Sequence, residues 1–348
     1  MGADRRFALR LDLRGGAVDM THGSGGRAMA QLIEELFRRR LDNELLRQGN
    51  DQALFDAPLG RMAMSTDGHV VSPLFFPGGD IGCLAVHGTI NDLAMGGARP
   101  LYLAAGFILE EGLPFADLAC IVESMAAAAN EASVPVVTGD TKVVERGKAD
   151  GVFITTTGVG VVPEGIEISG DKARPGDLIL VNGTMGDHGV AVLSKRENLG
   201  FETEIESDTA ALHGLVAAMV EAVPGIHCLR DPTRGGLATT LNELAHQSGV
   251  GMQIREGAIP VRPGVAAACE LLGLDPLYVA NEGKLVAICP AEQAETLLQA
   301  MRAHPLGSES AIVGEVVADP HRFVQMETAF GGQRIVDWLA GEQLPRIC

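Results

Sequence analysis

The stretch that decides the fold is GCLAVHGTINDLAMGGARPLYLAAGFIL, residues 82–109. Its first part predicts a helix closed by Gly96 and Gly97, because glycine commonly ends helices. Its last nine residues, 101–109, are apolar and predict a buried strand by their length and flanking residues. A helix followed at once by a buried strand is the unit from which mixed α and β folds are built.

The same alternation extends in both directions. Before the stretch, residues 17–26 run from a short extended piece into a glycine loop, 27–41 have helical apolar spacing, and 61–70 predict a strand ending on Asp67. After it come a helix over 115–134 and strands over 135–140 and 151–162. The pattern loosens into Pro, Gly and charge over 162–177, which predicts a domain boundary. The alternation then resumes, so we expect two α+β or α/β domains of similar size.

Composition narrows the class of protein. With 348 residues, 46% hydrophobic and 21% charged, the chain fits a two-domain globular enzyme. Its formal charge of −18 disfavours nucleic acid and anionic membranes as partners. The sequence predicts neither a signal peptide nor a membrane span, so we expect a cytoplasmic protein. None of the 6 cysteines forms a CxxC pair, and Cys348 is unusual because it is the last residue.

A glycine loop, His22-Gly23-Ser24-Gly25-Gly26, lies directly before an amphipathic helix. Its backbone N–H groups and the helix N-terminus favour an anion, so it is a candidate phosphate site. A flexible turn that merely starts the helix is an equally good interpretation. Neither a P-loop nor a Rossmann fingerprint is present in the sequence.

Four aspartates lie at predicted element ends in the first half. They are Asp67, Asp80, Asp92 and Asp140. Carboxylates on such turns suit Mg²⁺, which is shared between carboxylates and substrate phosphates. Any one of them alone could be a helix cap or turn residue, and Asp80 is the most easily explained as a cap. Together they favour a metal and nucleotide site.

Further polar candidates lie in loops. Lys142 follows a buried strand and could contact a phosphate or act as a base, although a solvated surface lysine is the usual alternative. The second half adds two polar loops, RDPTRGG with Asp231 and Arg234, and ANEGK with Glu282 and Lys284. His188 in GDHG is a weaker candidate. Taken together, the residues favour a magnesium-dependent enzyme acting on a nucleotide phosphate without a P-loop.

Several of these motifs together resemble the HypE family of hydrogenase maturation proteins. They are HGSGGRAMAQLIEELF, FFPGGDIG, HGTINDLAMGGARP, AGFILEEGLP, VTGDTKVVERG, GTMGDHG, DPTRGG, ANEGKLV and the terminal PRIC. That family lies within the superfamily of aminoimidazole ribonucleotide synthetase, selenophosphate synthetase and thiamine monophosphate kinase. The likeness covers nearly everything from Val18 to Cys348.

The resemblance implies an α+β, two-domain PurM-like architecture. It has an N-terminal mixed sheet with helices, a C-terminal α/β domain and a flexible C-terminal tail. On this basis we expect a variable extension over 1–17 and an ATP-binding and dimerisation domain over 18–165. A C-terminal domain over 166–338 and a mobile tail over 339–348 follow. It also implies a homodimer with ATP in a cleft.

The resemblance also implies a reaction and partners. HypF places a carbamoyl group on Cys348, ATP activates the amide oxygen, and dehydration leaves a thiocyanate. The cyanide then passes to iron on HypC–HypD for nickel–iron hydrogenase. We expect Lys142 and Glu282 to serve activation and proton removal, and Asp67, Asp80, Asp92 and Asp140 to bind magnesium. The residues expected to bind ATP are His22, Gly23, Ser24, Gly25, Gly26, Asp67, Asp140, Lys142, Asp231 and Arg234.

One residue departs from the family pattern, and competing interpretations stay open. Members of the family often have lysine where this chain has Cys83. The chain could be another enzyme of the superfamily, such as a kinase or selenophosphate synthetase. Selenophosphate synthetase uses a cysteine or selenocysteine in an N-terminal loop, and no cysteine precedes Cys83 here. It could also be an ATP-binding scaffold without chemistry, or Cys348 could be merely a free surface thiol. Whether the tail acts in its own cleft or across the dimer stays open.

Overall fold

A computed structural model describes residues 10–24, 26–50, 52–199, 205–339, 341 and 346–348. The N-terminal half forms a four-stranded sheet in the order β1-β6-β4-β5. Its strands are β1 (Arg61–His69), β4 (Arg99–Glu110), β5 (Val136–Val144) and β6 (Val152–Val162). A two-stranded ribbon of β2 (Phe75–Phe76) and β3 (Gly79–Asp80) lies beside it. Only β4 and β5 pair in parallel, so the four-stranded sheet is mixed.

Helices cover one face of this sheet. They are α4 (Ile81–Met95), which packs against β1 and β6, and α5 (Phe115–Ala132), which packs against α4. Shorter segments precede the sheet: a 3-10 turn Met20–Gly23, α1 (Arg27–Leu32), a π-helix Ile33–Phe37, α2 (Arg38–Arg40) and α3 (Glu44–Arg47). Burial alternates along β6, as expected for strands with one covered face.

The other face of the sheet stays open. On β1, Met62 and Met64 are 44% and 73% exposed, and Ile108 on β4 is 41% exposed. Phe55 stacks at a tilt on Tyr102, with ring centroids 4.4 Å apart. An apolar sheet face of this kind is a candidate surface for another polypeptide.

The C-terminal half forms a seven-stranded sheet in the order β13-β12-β9-β11-β7-β10-β8. Its strands are β7 (Leu178–Val181), β8 (Cys228–Arg230), β9 (Gly251–Arg255), β10 (Val286–Cys289), β11 (Ala311–Val317), β12 (Val324–Glu327) and β13 (Gln333–Ile335). The helices are α6 (Asp187–Arg196), α7 (His213–Ala222), α8 (Gly236–Ser248), α9 (Pro263–Leu272) and α10 (Ala291–Ala303). Three short 3-10 turns complete it: Glu256–Ala258, Pro276–Tyr278 and Pro305–Gly307.

Asn91 joins the two halves. Its amide nitrogen donates to the carbonyls of Ala210 and Glu282, at 3.0 and 3.1 Å. Its side-chain oxygen accepts from the backbone N–H of Leu212 at 2.7 Å. The Asn91 side chain is buried, and these bonds give both its nitrogen and its oxygen a hydrogen-bond partner. Through Asn91, helix α4 of the N-terminal half is therefore bonded to the backbone of the C-terminal half beside the cleft.

Two local predictions needed correction. The strand expected to end on Asp67 continues to His69, because the pairing with β6 runs on through Gly68 to His69. The helix expected over 27–41 is interrupted by a π-helical turn at Ile33–Phe37. The buried side chains of that turn, Leu36 and Phe37, pack into the N-terminal core.

Candidate active site

Two polar loops of the C-terminal half meet at one sheet edge. Strands β8 and β10 are antiparallel neighbours, with Arg230 opposite Val286. The loop after β8 and the loop before β10 therefore lie side by side. Asn281 ties them together, since its backbone N–H and its side-chain amide both donate to the carbonyl of Pro232, at 3.1 and 2.9 Å. The two loops that the sequence marked separately form one surface.

Glu282 lies at the centre of this surface and is 4% exposed. Its backbone N–H donates to Asp208 Oδ1 at 3.0 Å, while its own Oε1 has no hydrogen-bond partner. Burial, followed by repulsion from Asp231, Asp208 and Asp67, raises the pKa of Glu282 well above its ordinary value. A buried carboxyl of raised pKa in a cleft is a candidate general acid or base.

Three aspartates, Asp67, Asp92 and Asp231, carry charges that act on one another, and those of Asp231 and Asp67 also act on Glu282. Asp67 projects from β1 towards α4, and Asp92 on α4 accepts from Ser65 Oγ at 2.6 Å. Burial raises the pKa of Asp92, and the Asp67 carboxylate raises it further, whereas the Ser65 bond lowers it. Burial and the nearby Asp92 raise the pKa of Asp231 to about 7. This mutual repulsion favours a bound cation, because a cation would stabilise the charged forms.

The C-terminal residues lie in the same cleft. The backbone N–H of Val70 donates to the carbonyl of Cys348, and that of Ser72 donates to the carbonyl of Arg346, both at 3.1 Å. Val71 and Ile347 form an isolated antiparallel bridge, and the Ile347 side chain is 3% exposed. Residues 346–348 thus dock within their own chain.

The docked tail brings the terminal thiol to Glu282. Cys348 donates a hydrogen bond to the Glu282 carboxylate, which lowers the pKa of Glu282 and raises that of Cys348. Burial is the largest cause of the raised pKa of Cys348, followed by the charge of Glu282, whereas the Arg234 guanidinium lowers it. The sulfur is therefore a neutral thiol here, and the basic group beside it is Glu282.

His69 is a site residue that sequence reasoning missed. It is 2% exposed, and its Nε2 lies 3.4 Å from Asp67 Oδ2. Burial lowers the pKa of His69, and the Asp67 charge opposes this. Its Nδ1 has no hydrogen-bond partner. The only sequence signal was its position two residues after Asp67, on the same face of the strand.

The glycine loop lies at the opposite edge of the N-terminal sheet. A Cβ on Gly23 would lie 2.8 Å from Val143 of β5, so the loop and the strand are in close contact. His22 is buried, accepts from the backbone N–H of Asp19 at 3.1 Å, and packs edge-to-face on Phe115. Ser24 Oγ donates to Thr21 O at 2.9 Å. Gly25 lies outside the described residues.

Asp140 and Lys142 lie near that edge, on a different face of the sheet from Asp67. The pairing places Asp67 in one row with Thr156 and Ala105, which are buried beneath the helices. Asp140 pairs with Gly106, the residue after Ala105. Because successive side chains of a strand point to opposite faces, the Asp140 side chain points to the open face. Lys142 Nζ is 3.1 Å from Asp140 Oδ2, and both side chains are 65% exposed. Within one chain, neither Asp140 nor Lys142 therefore lies beside Cys348 and Glu282.

Asp80 serves as the N-cap of α4. Its Oδ1 accepts from the backbone N–H groups of Gly82 and Cys83, at 2.6 and 3.2 Å. Burial raises its pKa, while hydrogen bonds from Ser124, Gly82 and Cys83 lower it. Cys83 Sγ completes the capping box with the backbone of Asp80. The residue that departs from the family pattern therefore has a local structural partner.

The comparisons with known proteins decide the family. Residues 49–162 match the model of the N-terminal domain of AIR synthase related proteins, and 174–327 match the model of the C-terminal domain. Carbamoyl dehydratase HypE of Azotobacter vinelandii is 77% identical over 339 residues, which cover 97% of this chain and 99% of the relative. The chain belongs to the HypE family. HypE of Escherichia coli K12 is 47% identical over 336 residues, covering 95% and 99%.

Solved HypE structures share the fold. A HypE hydrogenase maturation protein in complex with ATP is 53% identical, with a TM-score of 0.91 over 94% of this chain and 99% of the other. A HypE–HypF complex contains a chain 50% identical, with a TM-score of 0.78 over 88% and 99%. Two PurM-like domains of mixed helices and sheets are thus established for this HypE family member.

Proposed function

We propose that this chain dehydrates a carbamoyl group carried on the sulfur of Cys348, using ATP, and so forms a thiocyanate. The family assignment makes it an ATP-dependent carbamoyl dehydratase of hydrogenase maturation. The observation that supports a role for particular residues is the contact between the Cys348 thiol and the buried Glu282. A carbamoyl group on that sulfur would place its amide beside Glu282.

The reaction has to remove one oxygen and two protons from the amide. The amide oxygen attacks the γ-phosphorus of ATP, ADP leaves, and the oxygen becomes part of a phosphate ester. The C–O bond then breaks, phosphate departs with that oxygen, and the nitrogen loses both protons to give S–C≡N. Phosphorylation is needed because an amide oxygen is otherwise a poor leaving group. Glu282 is the proposed base for the nitrogen protons, since burial and the neighbouring carboxylates raise its pKa and so strengthen it as a base.

Magnesium fits the acidic cleft only as a companion of the nucleotide. No group of three or more His, Cys, Asp or Glu side chains within the described ranges is arranged to hold a metal ion alone. Mg²⁺ usually binds one or two carboxylates together with phosphate oxygens and water, and Asp67 and Asp92 could supply those carboxylates. The ion would neutralise charge on the transferring phosphoryl group. Asp80, whose carboxylate caps α4, fits this role less well.

The remaining nucleotide contacts are proposed for two places. Arg234 lies near Cys348, and Asp231 lies near Asp92 and Asp67. At this position Arg234 could bind a phosphate oxygen. Gly23 of the glycine loop lies against Val143 at the β5 edge, next to Lys142 in sequence. Asp140 and Lys142 are on the open sheet face, so their part in catalysis requires that this face be covered by a second subunit.

Partners follow from the family and from the open sheet face. A solved HypE–HypF complex supports HypF as the partner that supplies the carbamoyl group. We propose a homodimer formed through the exposed face of β1, β6 and β4, and transfer of the cyanide to iron on HypC–HypD. We also propose the domain limits 18–165 and 166–338, a tail over 339–348, and a cytoplasmic location. No helix among the described residues is long and apolar enough to span a bilayer.

ATP turnover before and after carbamoylation of Cys348 tests this function. A dehydratase should consume ATP in proportion to the carbamoylated tail, and Cys348→Ala should abolish product while ATP still binds. An ATP-binding scaffold without chemistry predicts instead a turnover that does not depend on the modification.

A further inference from the structure

The GDHG motif at the start of α6 is not used by the reaction described above, yet its histidine contacts the tail. His188 is completely buried, and its Nε2 lies 2.7 Å from the carbonyl oxygen of Ile347. A carbonyl oxygen can only accept, so Nε2 must carry the hydrogen. His188 lies in the C-terminal half, 159 positions from Ile347, so the contact exists only when the tail is docked.

The ring of His188 is held in this orientation from its other side. Ser207 Oγ lies 2.8 Å from Nδ1, and the same oxygen accepts from the backbone N–H of Thr209 at 3.1 Å. Ser207 therefore donates its hydroxyl hydrogen to Nδ1, which fixes the tautomer with hydrogen on Nε2. Phe76 packs edge-to-face on the ring, with centroids 5.4 Å apart. The imidazole is thus oriented to donate from Nε2 to the carbonyl of Ile347.

A second side chain of the same helix holds the preceding carbonyl. Arg196 donates through Nη2 to the carbonyl of Arg346 and through Nε to the carbonyl of Ser72, both at 2.7 Å. It thereby bridges the tail to the segment with which the tail pairs. Together with the N–H groups of Val70 and Ser72, these contacts satisfy the carbonyls of all three residues 346–348.

These contacts recognise backbone atoms and are independent of the thiol. The carbonyls of Arg346 and Cys348 accept from residues 70–72, whereas that of Ile347 accepts from His188, so a shift by one residue would misplace every bond. The buried Ile347 side chain fixes the same register. Docking in this register places the sulfur next to Glu282.

We propose that His188 and Arg196 are positioning residues that hydrogen-bond to the backbone carbonyls of the docked tail and so place Cys348 beside Glu282. The docking part of this inference stands on the contacts alone, whereas its effect on turnover rests on the proposed function. Neither residue contacts the reacting atoms in this arrangement; both act through the tail.

The rate of alkylation of Cys348 by iodoacetamide measures how often the tail leaves the cleft. The modified C-terminal peptide is quantified by mass spectrometry, because further thiols such as exposed Cys120 also react. We expect His188→Leu to raise this rate about 3- to 10-fold, as for loss of one buried hydrogen bond, and Arg196→Met to raise it by about 10-fold or more. His188→Gln keeps an amide donor near the position of Nε2 and should restore most of the protection.

His227→Gln is the matched control. His227 is also largely buried and bonded to a side chain, Asp177 at 2.7 Å, but it has no hydrogen bond to the described tail residues 346–348. It should leave the alkylation rate of Cys348 unchanged. Should His188→Leu fail to fold, Arg196→Met and Ser207→Ala carry the same test, since both side chains are only partly buried.

A second readout links docking to turnover. In the carbamoylated protein, His188→Leu and Arg196→Met should lower the single-turnover dehydration rate while the KM for ATP stays unchanged. Unchanged alkylation rates in both folded variants, or an equal rise in His227→Gln, would overturn the inference. A wild-type protein that protects Cys348 in the expected way but never dehydrates its carboxamide would contradict the proposed function and leave the docking role intact.

Discussion

Glu282 and Cys348 illustrate what burial does to two ordinary side chains. In water, a glutamate is too weak a base and a thiol too exposed for controlled chemistry. In the cleft, burial and neighbouring carboxylates raise the pKa of Glu282, and the docked sulfur contacts it directly. A base of raised pKa holds protons more tightly, so it removes amide protons more readily once it is deprotonated.

Replacement of Glu282 tests its role as the base. Glu282→Gln keeps the shape but cannot accept a proton, so we expect dehydration to slow by about 10²- to 10⁴-fold. Carbamoylation of Cys348 by HypF should continue. The rate is measured as conversion of the carboxamide on the C-terminal peptide. Glu315→Gln, an exposed residue on β11, serves as the control and should be indistinguishable from wild type; a full rate in Glu282→Gln would exclude the assigned role.

The pKa of Asp231 predicts how stability changes with pH. The folded pKa is raised from 3.8 to about 7, so between these values the folded state binds more protons than the unfolded state. Stability in the absence of nucleotide and divalent ions should therefore fall as pH rises from 4 to 7.

Asp231→Asn removes this group from the titration. We expect it to flatten the fall and to stabilise the protein at neutral pH by about 1–3 kcal/mol. Urea unfolding across that pH range, in the presence of EDTA, measures the effect. A variant as pH-dependent as wild type would show that different groups dominate.

The limits of sequence reasoning are clearest at single residues. Glu282, Asp231 and Arg234 could be selected because they lie in polar, glycine-containing loops that also match motifs of the family. His69 and Asp208 could not, since only the folded structure brings His69 to Asp67 and Asp208 to the backbone N–H of Glu282. His188 was visible as part of a motif, but its contact with a residue 159 positions away carried no local signal. Asp67 and Asp140 point to opposite faces of the sheet, which the sequence could not show, and their shared role at the nucleotide stays a prediction.

Among the elements, the predicted helix and strand over 82–109 correspond to α4 and β4. Glycines at 96 and 97 end the helix, and a continuous apolar run makes the strand identifiable. Strand β13 offered no such signal, because its three residues are all exposed and it forms a sheet edge. The order of the strands also required tertiary information, since β1 and β6 are distant in sequence but adjacent in the sheet.

The cap of α4 makes a prediction at the scale of this helix. Asp80→Ala removes the acceptor for two backbone N–H groups, and we expect a loss of about 0.5–2 kcal/mol of stability. Asp80→Asn retains a capping oxygen and should be nearly neutral. Thermal unfolding distinguishes them; equal destabilisation by both changes would mean that the negative charge, not the cap, is what matters.

The open face of the N-terminal sheet makes a second prediction at this scale. Met64→Glu places a charge in the middle of the proposed subunit interface, where it would be buried without a partner, so the homodimer should dissociate. Sedimentation equilibrium measures the change in mass. Leu271→Glu on α9 is the control, because Leu271 is 79% exposed but lies in the other half of the chain. Dimers that survive Met64→Glu would place the interface elsewhere.

At the scale of the whole molecule, the two halves create the chemistry jointly. The N-terminal sheet supplies Asp67 and the backbone of residues 70–72 that pairs with the tail. The C-terminal half supplies Glu282 and the side chains that contact the tail carbonyls. The chain terminus closes the cleft between them.

Docking within one chain can be tested by mixing subunits. A dimer formed from one Cys348→Ala chain and one Glu282→Gln chain has one intact thiol and one intact base, on different subunits. Because the structure places the thiol beside the Glu282 of its own chain, the mixed dimer should not dehydrate its carboxamide. Mass analysis of the surviving C-terminal cysteine measures this. Appreciable conversion would show that the tail acts across the dimer.

The most direct test of the central claim is the mass of the C-terminal peptide. The protein is incubated with HypF, carbamoyl phosphate and magnesium ATP, and the mass of the peptide that ends in Cys348 is then measured by mass spectrometry. The account predicts a carboxamide that loses the elements of one water in wild type and persists in Glu282→Gln. A carboxamide that persists in wild type, with ATP present and HypF active, would contradict it.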